Sequence, residues 1–304
     1  MSTKVGVIGL GAMGLPMSRR LLQNGFDVAV VPHANAAPAQ ELAGLGAEVL
    51  GRPSELAQAC DVVITSVPDV PQVQEVLFGE GGLLTGAREG LLYLDMSTIT
   101  PTAAREHHAR LREVGVAALD APVSGGPTRA ADGTLTIMVG GDVDAYERGL
   151  PVLQALGKNV THVGPAGSGQ AVKLVNQLLI SIIMVANAEA LTLGVKAGVP
   201  LSTMLDVIGT SSGSNYLMQN WMTRTLFSDD LGSGFALDLL MKDLRAALSW
   251  AGELGLPAFG GAMAQQLYKL ARTDETARLD YSVVASIYEE AAGVRLRLEA
   301  GKDQ

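Results

Sequence analysis

The chain has 304 residues, of which 48% are apolar and 17% are charged. This composition can form a large core and excludes wholesale disorder, and the length is typical of two domains. The net charge is −9 at pH 7, and no block of lysine and arginine occurs. A nucleic-acid partner is therefore not expected, and an anion must be bound by a local arrangement of the chain.

Cysteine usage and the first residues bear on the compartment. Cys60 is the only cysteine, so no intrachain disulfide can form and we expect no metal site. The chain enters a strand pattern soon after Met1, without an apolar signal region and a small-residue cleavage site. Together these features predict a cytoplasmic protein.

The first half of the chain alternates short apolar runs with helical patterns. This rhythm is typical of βαβ units and predicts a doubly wound parallel sheet. The predicted strands are Val5–Ile8, Val28–Val31, Ala47–Leu50, Val62–Ser66, Leu91–Asp95, Val116–Asp120, Thr134–Val139 and Asn159–Val163. The predicted helices between them include 13–24, 53–59, 70–77 and 101–113, the last with Thr100 as N-cap and Pro101 at the first helical position.

The pattern changes at the glycine-rich segment 164–169, which predicts a hinge. Only helical patterns follow, over 170–197, 201–210, 215–226, 237–254, 258–272 and 280–299. We therefore predict an α/β domain over 1–165 and an all-helical domain over 166–304. The long helix 170–197 would be the spine of the second domain.

A glycine fingerprint follows the first predicted strand. Gly9, Gly11 and Gly14 have the G-x-G-x-x-G spacing, in which the glycines permit a tight turn, close approach of a pyrophosphate and close packing of helix on strand. The helix N-terminus then supplies N–H groups to the anion. We predict dinucleotide binding by Gly9, Leu10, Gly11, Ala12, Met13 and Gly14. A turn that binds nothing, or a methyltransferase-type loop, is the alternative.

The end of the second strand bears on which dinucleotide binds. An acidic residue there would bind the ribose of NAD, and an arginine would bind the 2′-phosphate of NADP. The chain has Pro32, His33, Ala34 and Asn35 instead. Because no carboxylate repels a phosphate and His33 can hydrogen-bond one, we expect NADP, with NAD as the alternative. His33 as an ordinary exposed loop residue is equally open.

Lys173 is the only formally charged residue between Lys158 and Glu189. The uncharged run after it is shorter than the roughly 20 residues of a membrane span and contains polar residues, so we predict a buried helix and no membrane segment. Apolar surroundings lower the pKa of an ammonium, which suits a lysine to proton transfer. A lysine whose stem packs on apolar surface and whose head reaches water is the alternative.

Five segments in order resemble the β-hydroxyacid dehydrogenase family: GLGAMGLPM, LDMSTITP, DAPVSGGPTRAADGTLTIMVGG, GQAVKLVNQ and LLMKDL. That family includes 3-hydroxyisobutyrate dehydrogenases and tartronate semialdehyde reductases. The resemblance implies an N-terminal Rossmann domain, a long interdomain helix and an all-α C-terminal domain like that of 6-phosphogluconate dehydrogenase. It also implies a homodimer or homotetramer that transfers a hydride between NAD(P) and the β-carbon of a small β-hydroxyacid or the matching semialdehyde.

The resemblance assigns roles to single residues. Lys173 matches the catalytic general acid and base. The loop of Ser124, Gly125 and Gly126 would hold the substrate's carboxylate, which its small residues also favour; a plain β-turn is the alternative. Asn176 and Gln177 would contact the substrate, although the family usually has asparagine where this chain has Gln177.

Further positions would line the cofactor, namely Val67, Pro68, Ser97, Thr98 and Lys242. Alternatively, Ser97 or Thr98 caps the helix that begins near Pro101, and Lys242 with Asp243 forms an exposed charge pair. Two other functions stay open. One is an imine reductase or reductive aminase on the same scaffold, against which Lys173 argues, and the other is a catalytically silent dinucleotide-binding module.

Overall fold

The structure is a computed structural model that describes residues 3–232 and 234–298. The chain divides into two compact units, of which the first ends at Leu174 and the second begins at Val175. The predicted boundary at 165/166 lies just before a long helix, whereas the units divide within that helix. The first turn and a half of the helix, including Lys173, thus counts with the first unit.

Strands and helices alternate along the first unit, as the apolar runs predict. The strands are β1 (Lys4–Ile8), β2 (Asp27–Val31), β3 (Glu48–Val49), β4 (Val62–Thr65), β5 (Leu92–Asp95), β6 (Ala117–Asp120), β7 (Val123–Ser124), β8 (Leu135–Gly141) and β9 (Gly157–Gly164). The helices are α1 (Gly14–Gln23), α2 (Ala37–Gly44), α3 (Pro53–Ala59), α4 (Val70–Phe78), α5 (Pro101–Arg112), α6 (Gly126–Asp132) and α7 (Val143–Leu156), with a 3-10 turn at Leu83–Gly86.

All nine of these strands form one sheet in the order β3-β2-β1-β4-β5-β6-β8-β7, with β9 paired to β8. The strands from β3 to β6 are parallel, and β8 runs antiparallel to β6. The strand order reverses between β1 and β4. In sheets of this kind, ligands bind at the carboxyl ends of the strands beside that reversal.

Both faces of the central parallel strands β1, β2, β4, β5 and β6 are buried, which explains why these strands read as nearly continuous apolar runs. Successive side chains of a strand point to opposite faces. Val28 and Val30 of β2 thus join one apolar cluster with α1 and α7, while Ala29 and Val31 join a second cluster with α3, α4 and α5. The two clusters hold the carboxyl edge of the sheet in place from either side.

Three helices of the first unit, α2, α6 and α7, had no predicted counterpart. Each contains proline or glycine, residues that usually interrupt helices. In α2 and α6 the proline stands in the first turn, where its missing N–H costs little. In α7, Pro151 lies inside the helix, and burial of Ala145, Val152 and Leu153 against the sheet compensates for the lost bond.

Helices make up the regular structure described in the second unit. They are the remainder of α8 (Ser168–Lys196), then α9 (Leu201–Gly209), α10 (Leu237–Glu253), α11 (Phe259–Ala271) and α12 (Ser286–Ala292), with a π-helical turn at Leu217–Trp221 and a 3-10 turn at Tyr281–Ala285. Their apolar core includes Met184, Leu191, Phe227, Leu240, Tyr268 and Tyr281. An all-helical unit thus follows the α/β unit, as predicted.

Two predicted helices are shorter in the structure. The helix expected over 215–226 is only the π-helical turn followed by turns, and the Asn215 side chain caps its start by accepting the Met218 N–H. The helix expected over 280–299 begins as the 3-10 turn and ends as α12. Gly293, with φ of +66°, ends α12 in a left-handed conformation, and residue 299 lies outside the described residues.

The length and composition of α8 would allow it to cross a membrane, since its mean hydropathy reaches 2.0 over 18 residues. The core helix of a helical domain passes the same test. Buried polar residues on α8 make hydrogen bonds within their own unit: Gln177 to Asp243, Ser181 to the carbonyl of Gln177, and Asn187 to Asn215. Such paired polar groups are the usual pattern of a protein core.

Candidate active site

β1 leads into α1 through a glycine turn. Gly9 has φ of +93°, a left-handed conformation that glycine adopts without strain. A Cβ on Gly9 would collide with the backbone oxygen of Ser66, and a Cβ on Gly14 would collide with the backbone oxygen of Gly9. These two glycines are therefore required by the packing of the turn itself.

Gly11, the third glycine of this turn, is not enclosed by the protein. It is exposed, and a Cβ there would meet no heavy atom within 4 Å. The protein's own packing therefore does not require glycine at 11, but close approach of a pyrophosphate does. Met13 precedes α1 without a side-chain cap, and Leu10 and Ala12 complete the turn. The turn fits a dinucleotide.

The loop after β2 places His33 in solvent. Its neighbour Asn35 accepts the backbone N–H of Ala37 at 3.1 Å and so starts α2. His33 and Asn35 are the two polar side chains of this loop, and both are exposed.

The ends of β4 and β5 are joined by a serine. The backbone N–H of Val67 donates to Ser97 Oγ at 3.0 Å, while Pro68 is exposed beside it. Thr100, not Ser97 or Thr98, caps α5, since its side chain accepts the N–H of Ala103. The predicted cap at Thr100 is confirmed, and the alternative that Ser97 or Thr98 caps this helix is wrong.

Ser97 is bonded to a buried polar cluster of Asp95, Thr65 and Tyr93. Asp95 Oδ1 accepts the backbone N–H of Ser97 and the hydroxyl of Thr65, each at 3.0 Å. The Thr65 hydroxyl is in turn 2.6 Å from that of Tyr93. Burial raises the pKa of the Asp95 carboxyl to about 6 and that of the Tyr93 phenol well above its usual value.

Asp120 anchors the start of α8 on the end of β6. Its two carboxylate oxygens accept the backbone N–H groups of Gly167 at 2.7 Å and Gln170 at 2.9 Å, as an acidic residue does at a helix N-terminus. Burial raises the pKa of Asp120 to about 6. His108 lies 3.6 Å from this carboxylate, but burial lowers the pKa of His108 to about 4, so the imidazole is neutral at pH 7.

The side chain of Gln170 links α8 to the loop after β5. Gln170 is fully buried; its Nε2 donates to the carbonyl of Ser97 at 2.8 Å, and its Oε1 accepts the N–H of Ile99 at 3.1 Å. Lys173 lies three residues further along the same helix and is only 7% exposed. The lysine is thus buried, on a helix tied to the carboxyl edge of the sheet.

Ser124 ends the short strand β7, Gly125 links it to α6 and Gly126 begins that helix, and all three residues are partly buried. Both glycines have positive φ, +138° and +73°. A Cβ on Gly125 would collide with the side chain of Arg129. Glycine adopts such conformations without strain, so the backbone of this turn explains both glycines.

In the second unit, Gln177 lies in a buried polar cluster. Its Nε2 donates to Asp243 Oδ2 at 2.8 Å, and its Oε1 accepts from Asn176 Nδ2 at 3.1 Å. Lys242 Nζ is 2.8 Å from Asp243 Oδ1, and both of these side chains are largely buried. The alternative that Lys242 and Asp243 form an exposed charge pair is therefore wrong.

Three polar residues of these clusters were not singled out from the sequence: Asp95, Asp120 and Gln170. For the two that end strands, a signal was present, because a carboxylate at the carboxyl end of a buried parallel strand lies at the edge where ligands bind. Gln170 had no such signal, since a polar residue on a helix most often faces solvent. Among the residues that the structure describes, no three His, Cys, Asp or Glu side chains are grouped to hold a metal ion.

Two family models match the chain in succession. Residues 4–164 match the NAD-binding domain of 6-phosphogluconate dehydrogenase, and residues 167–288 match the NAD-binding domain of NADP-dependent 3-hydroxyisobutyrate dehydrogenase. The two matches meet at the predicted hinge. They identify the first unit as a binding domain for a nicotinamide dinucleotide.

Similar proteins span nearly the whole chain. It is 41% identical to 2-(hydroxymethyl)glutarate dehydrogenase of Eubacterium barkeri, over 96% of this chain and 97% of that protein. It is 37% identical to NAD-dependent L-serine dehydrogenase of Pseudomonas aeruginosa, over 95% and 99% of the two chains. The fold matches the solved 3-hydroxyisobutyrate dehydrogenase of Mycobacterium tuberculosis with L-serine, with a TM-score of 0.87, 34% identity and coverage of 94% and 99%. The chain therefore belongs to the β-hydroxyacid dehydrogenase family of oxidoreductases that use a nicotinamide dinucleotide.

Proposed function

We propose that the protein is an NAD(P)-dependent dehydrogenase of a small β-hydroxyacid, or a reductase of the matching semialdehyde, with Lys173 as general acid and base. The observation that carries this proposal is the burial of Lys173 on α8, a helix that Gln170 and Asp120 tie to the carboxyl edge of the sheet. A lysine buried at this edge, where ligands bind in sheets of this kind, is suited to exchange a proton with a substrate.

The cofactor would be held by the glycine turn of residues 9–14 and by Val67, Pro68, Ser97 and Thr98 at the ends of β4 and β5. When bound, a nicotinamide dinucleotide supplies or accepts the hydride. Gly11 leaves open space above the backbone for the pyrophosphate. Ser97 is held in place by the Val67 N–H and by Asp95, so it offers a rigid wall beside the reacting groups.

Lys173 would exchange a proton with the β-oxygen of the substrate. Reduction of a semialdehyde requires a proton at this oxygen, and oxidation of the hydroxyacid requires its removal. Burial keeps bulk water from the lysine and strengthens its interaction with the developing oxyanion.

The substrate would be a small molecule with a carboxylate, held by the loop of Ser124, Gly125 and Gly126. The two positive-φ glycines of this loop support the role, because small residues let a ligand approach the backbone closely and a Cβ on Gly126 would meet no heavy atom within 4 Å. Relatives named for serine and for 2-(hydroxymethyl)glutarate support a hydroxymethyl group near an acid as the substrate class.

NADP is the proposed cofactor, with NAD as the alternative. The exposed loop of Pro32, His33, Ala34 and Asn35 after β2 carries no carboxylate to bind a ribose 2′-hydroxyl. His33 is exposed and can hydrogen-bond a 2′-phosphate. The cofactor preference is therefore a proposal about one loop, independent of the proposed role of Lys173.

The site residues predicted in the second unit are Asn176, Gln177 and Lys242. Asn176 and Gln177 follow Lys173 on α8, and Gln177 has the position that is usually asparagine in the family. Its longer side chain reaches Asp243 within its own unit. We propose that Gln177, held by Asp243, contacts the substrate and that Lys242 contacts the cofactor, as the family resemblance implies.

An activity panel tests the proposal. NADH and NADPH are offered with small semialdehydes, and NAD and NADP with L-serine, 3-hydroxyisobutyrate, glycerate and threonate, following absorbance of the reduced nicotinamide. We expect turnover of at least one combination of substrate and dinucleotide, and faster turnover with NADP or NADPH than with NAD or NADH. Turnover of cyclic imines without any of hydroxyacids would support the imine reductase alternative, and no turnover at all would support a silent binding module.

Replacement of Lys173 by methionine tests the role of the lysine. Lys173→Met keeps the side-chain length without the proton, so we expect kcat to fall by roughly 10²–10⁴, with dinucleotide affinity nearly unchanged by calorimetry. The exposed Lys158 provides the matched control, since Lys158→Met also removes one lysine of the first unit. If Lys173→Met kept most of its turnover, the assignment of the general acid would be wrong.

A further inference from the structure

The side-chain amide of Gln170 pairs with the backbone on both sides of Thr98. Its Nε2 donates to the carbonyl of Ser97 at 2.8 Å, and its Oε1 accepts the N–H of Ile99 at 3.1 Å. Gln170 is fully buried, so neither bond competes with solvent. One planar group therefore fixes both the position and the orientation of this turn relative to α8.

Gln170 connects the loop after β5 with the start of α8, and other hydrogen bonds hold each of these two segments in place. On the strand side, Ser97 Oγ accepts the N–H of Val67, and the Ser97 N–H donates to Asp95. On the helix side, Asp120 accepts the N–H of Gln170 itself and that of Gly167. Because neither end can relax freely, a change at Gln170 is transmitted as a displacement of the loop from the helix.

Gln170 and Lys173 are three residues apart on α8, so their side chains are neighbours on its surface. The proposed function places the nicotinamide beside Ser97 and Thr98 and makes Lys173 the proton carrier. Hydride and proton must then reach the carbon and the oxygen of one carbonyl group, atoms only about 1.2 Å apart. The separation between loop and helix must be correct within a fraction of that distance.

We propose that Gln170 is a positioning residue that sets this separation and thereby aligns hydride transfer with proton transfer. The inference rests on the proposed function. Gln170 touches neither reacting group itself. Its role is to hold the loop of Ser97 and Thr98 in register with Lys173.

Two variants separate this role from simple packing. Gln170→Met keeps the volume and removes both hydrogen bonds. Gln170→Glu can accept the Ile99 N–H, and when its carboxyl is protonated it can also donate to Ser97, so it restores the connection at low pH only. Thr192→Val is the control, because Thr192 is a buried residue of α8 whose hydroxyl bonds the Ala188 carbonyl near the other end of the helix.

The first measurement is amide hydrogen exchange at Ile99 in the protein without dinucleotide. We expect Gln170→Met to speed exchange at Ile99 roughly tenfold, as loss of one hydrogen bond would, whereas Thr192→Val leaves it unchanged. This measurement does not depend on catalysis.

The second measurement is steady-state kinetics with the protonated and the 4-deuterated reduced dinucleotide. For Gln170→Met we expect kcat to fall roughly 10- to 100-fold with KM nearly unchanged, and the deuterium isotope effect on kcat to rise as hydride transfer becomes limiting. For Gln170→Glu the isotope effect should approach the wild-type value as the pH is lowered.

Three results would overturn the inference: unchanged exchange at Ile99 in Gln170→Met, wild-type kcat in that variant, or an equal loss of kcat in Thr192→Val. A wild-type protein inactive with every dinucleotide and substrate would instead overturn the proposed function. Exchange at Ile99 would still decide whether Gln170 holds the loop.

Discussion

At the scale of single residues, burial decides which charged groups keep their ordinary behaviour. Asp95 and Asp120 are carboxyls at the ends of neighbouring strands, and burial raises the pKa of each to about 6. His108 is near Asp120 but buried, so its pKa falls to about 4 and the contact is not an ion pair at pH 7. The carboxyl edge of the sheet therefore carries acids that bind protons more tightly than usual.

These carboxyls make stability depend on pH with a definite sign. For Asp95 the folded pKa of about 6 lies above the ordinary value of 3.8, so between these values the folded state binds more protons than the unfolded state. Its contribution to the free energy of unfolding therefore decreases as pH rises from about 4 to about 6, by roughly 1–3 kcal/mol, and is constant above. Asparagine at this position cannot titrate.

We therefore expect Asp95→Asn to flatten the pH dependence of unfolding between pH 4 and pH 7, as measured by urea titration. Part of the pH dependence of unfolding should persist in this variant, since the pKa of Asp120 is raised in the same direction. The exposed Asp144 is the matched control, and Asp144→Asn should retain the wild-type slope. A wild-type slope in Asp95→Asn would show that Asp95 does not carry the raised pKa.

At the scale of elements, the turn from β1 into α1 contains three glycines, and they are there for two different reasons: packing of the turn itself and space for a ligand. Gly9 and Gly14 are needed because the turn packs against itself, and a side chain at either would collide with backbone. A Cβ on Gly11, in contrast, would meet no heavy atom within 4 Å. The fold thus explains glycine at 9 and 14 but not at 11, and we propose that a bound pyrophosphate explains Gly11.

Two alanine substitutions separate these requirements. Gly14→Ala should destabilise the protein, because its Cβ would overlap the Gly9 carbonyl, and we expect Tm to fall by several degrees, roughly 1–3 kcal/mol of overpacking. Gly11→Ala should leave Tm unchanged but weaken dinucleotide binding at least about tenfold, because the methyl group occupies the space of the pyrophosphate.

Thermal unfolding and calorimetric titration measure both effects. Gly44→Ala is the control, since Gly44 ends α2 and a Cβ there would also meet nothing within 4 Å. Gly44→Ala should change neither binding nor, by more than a small amount, Tm. Normal dinucleotide affinity in Gly11→Ala would contradict the proposed position of the pyrophosphate.

At the scale of the whole molecule, each unit has an apolar core of its own, yet large apolar side chains remain exposed on the second unit. They include Leu179 and Leu193 of α8 and Phe259, Met263 and Leu270 of α11, with Phe259 81% exposed. Phe259 and Met263 are four residues apart on α11, so their exposed side chains are neighbours on its surface. Clustered exposed apolar side chains are typical of a surface that binds another chain.

We expect the protein to be a homodimer or homotetramer in solution, as measured by light scattering after size-exclusion chromatography. Phe259→Glu should shift the mass toward a single chain, because it places a charge among the exposed apolar side chains of the second unit. Leu45→Glu is the control, since Leu45 is an exposed leucine of the first unit. A single-chain mass for the wild type would contradict the assembly.

Local patterns in the sequence predict most of the fold. Alternation of apolar runs with helical patterns was enough for the doubly wound sheet, because strands buried on both faces must be apolar throughout. Spacing was enough for the glycine turn, and the Thr100-Pro101 pair for the start of α5, since caps and tight turns depend on adjacent residues. The helices α2, α6 and α7 were missed because proline and glycine obscured them, and burial overrides such local preferences.

The tertiary structure alone decided which polar residues act together. Ser97 and Gln170 are 73 residues apart in the chain but share a hydrogen bond, as do Gln177 and Asp243, 66 residues apart. No local pattern encodes such pairs, because their meeting depends on which strands adjoin and how helices pack on them. Lys173 could be singled out by its isolation among apolar residues, but only the folded chain brings Gln170 against Ser97 and so supplies the support on which its proposed chemistry depends.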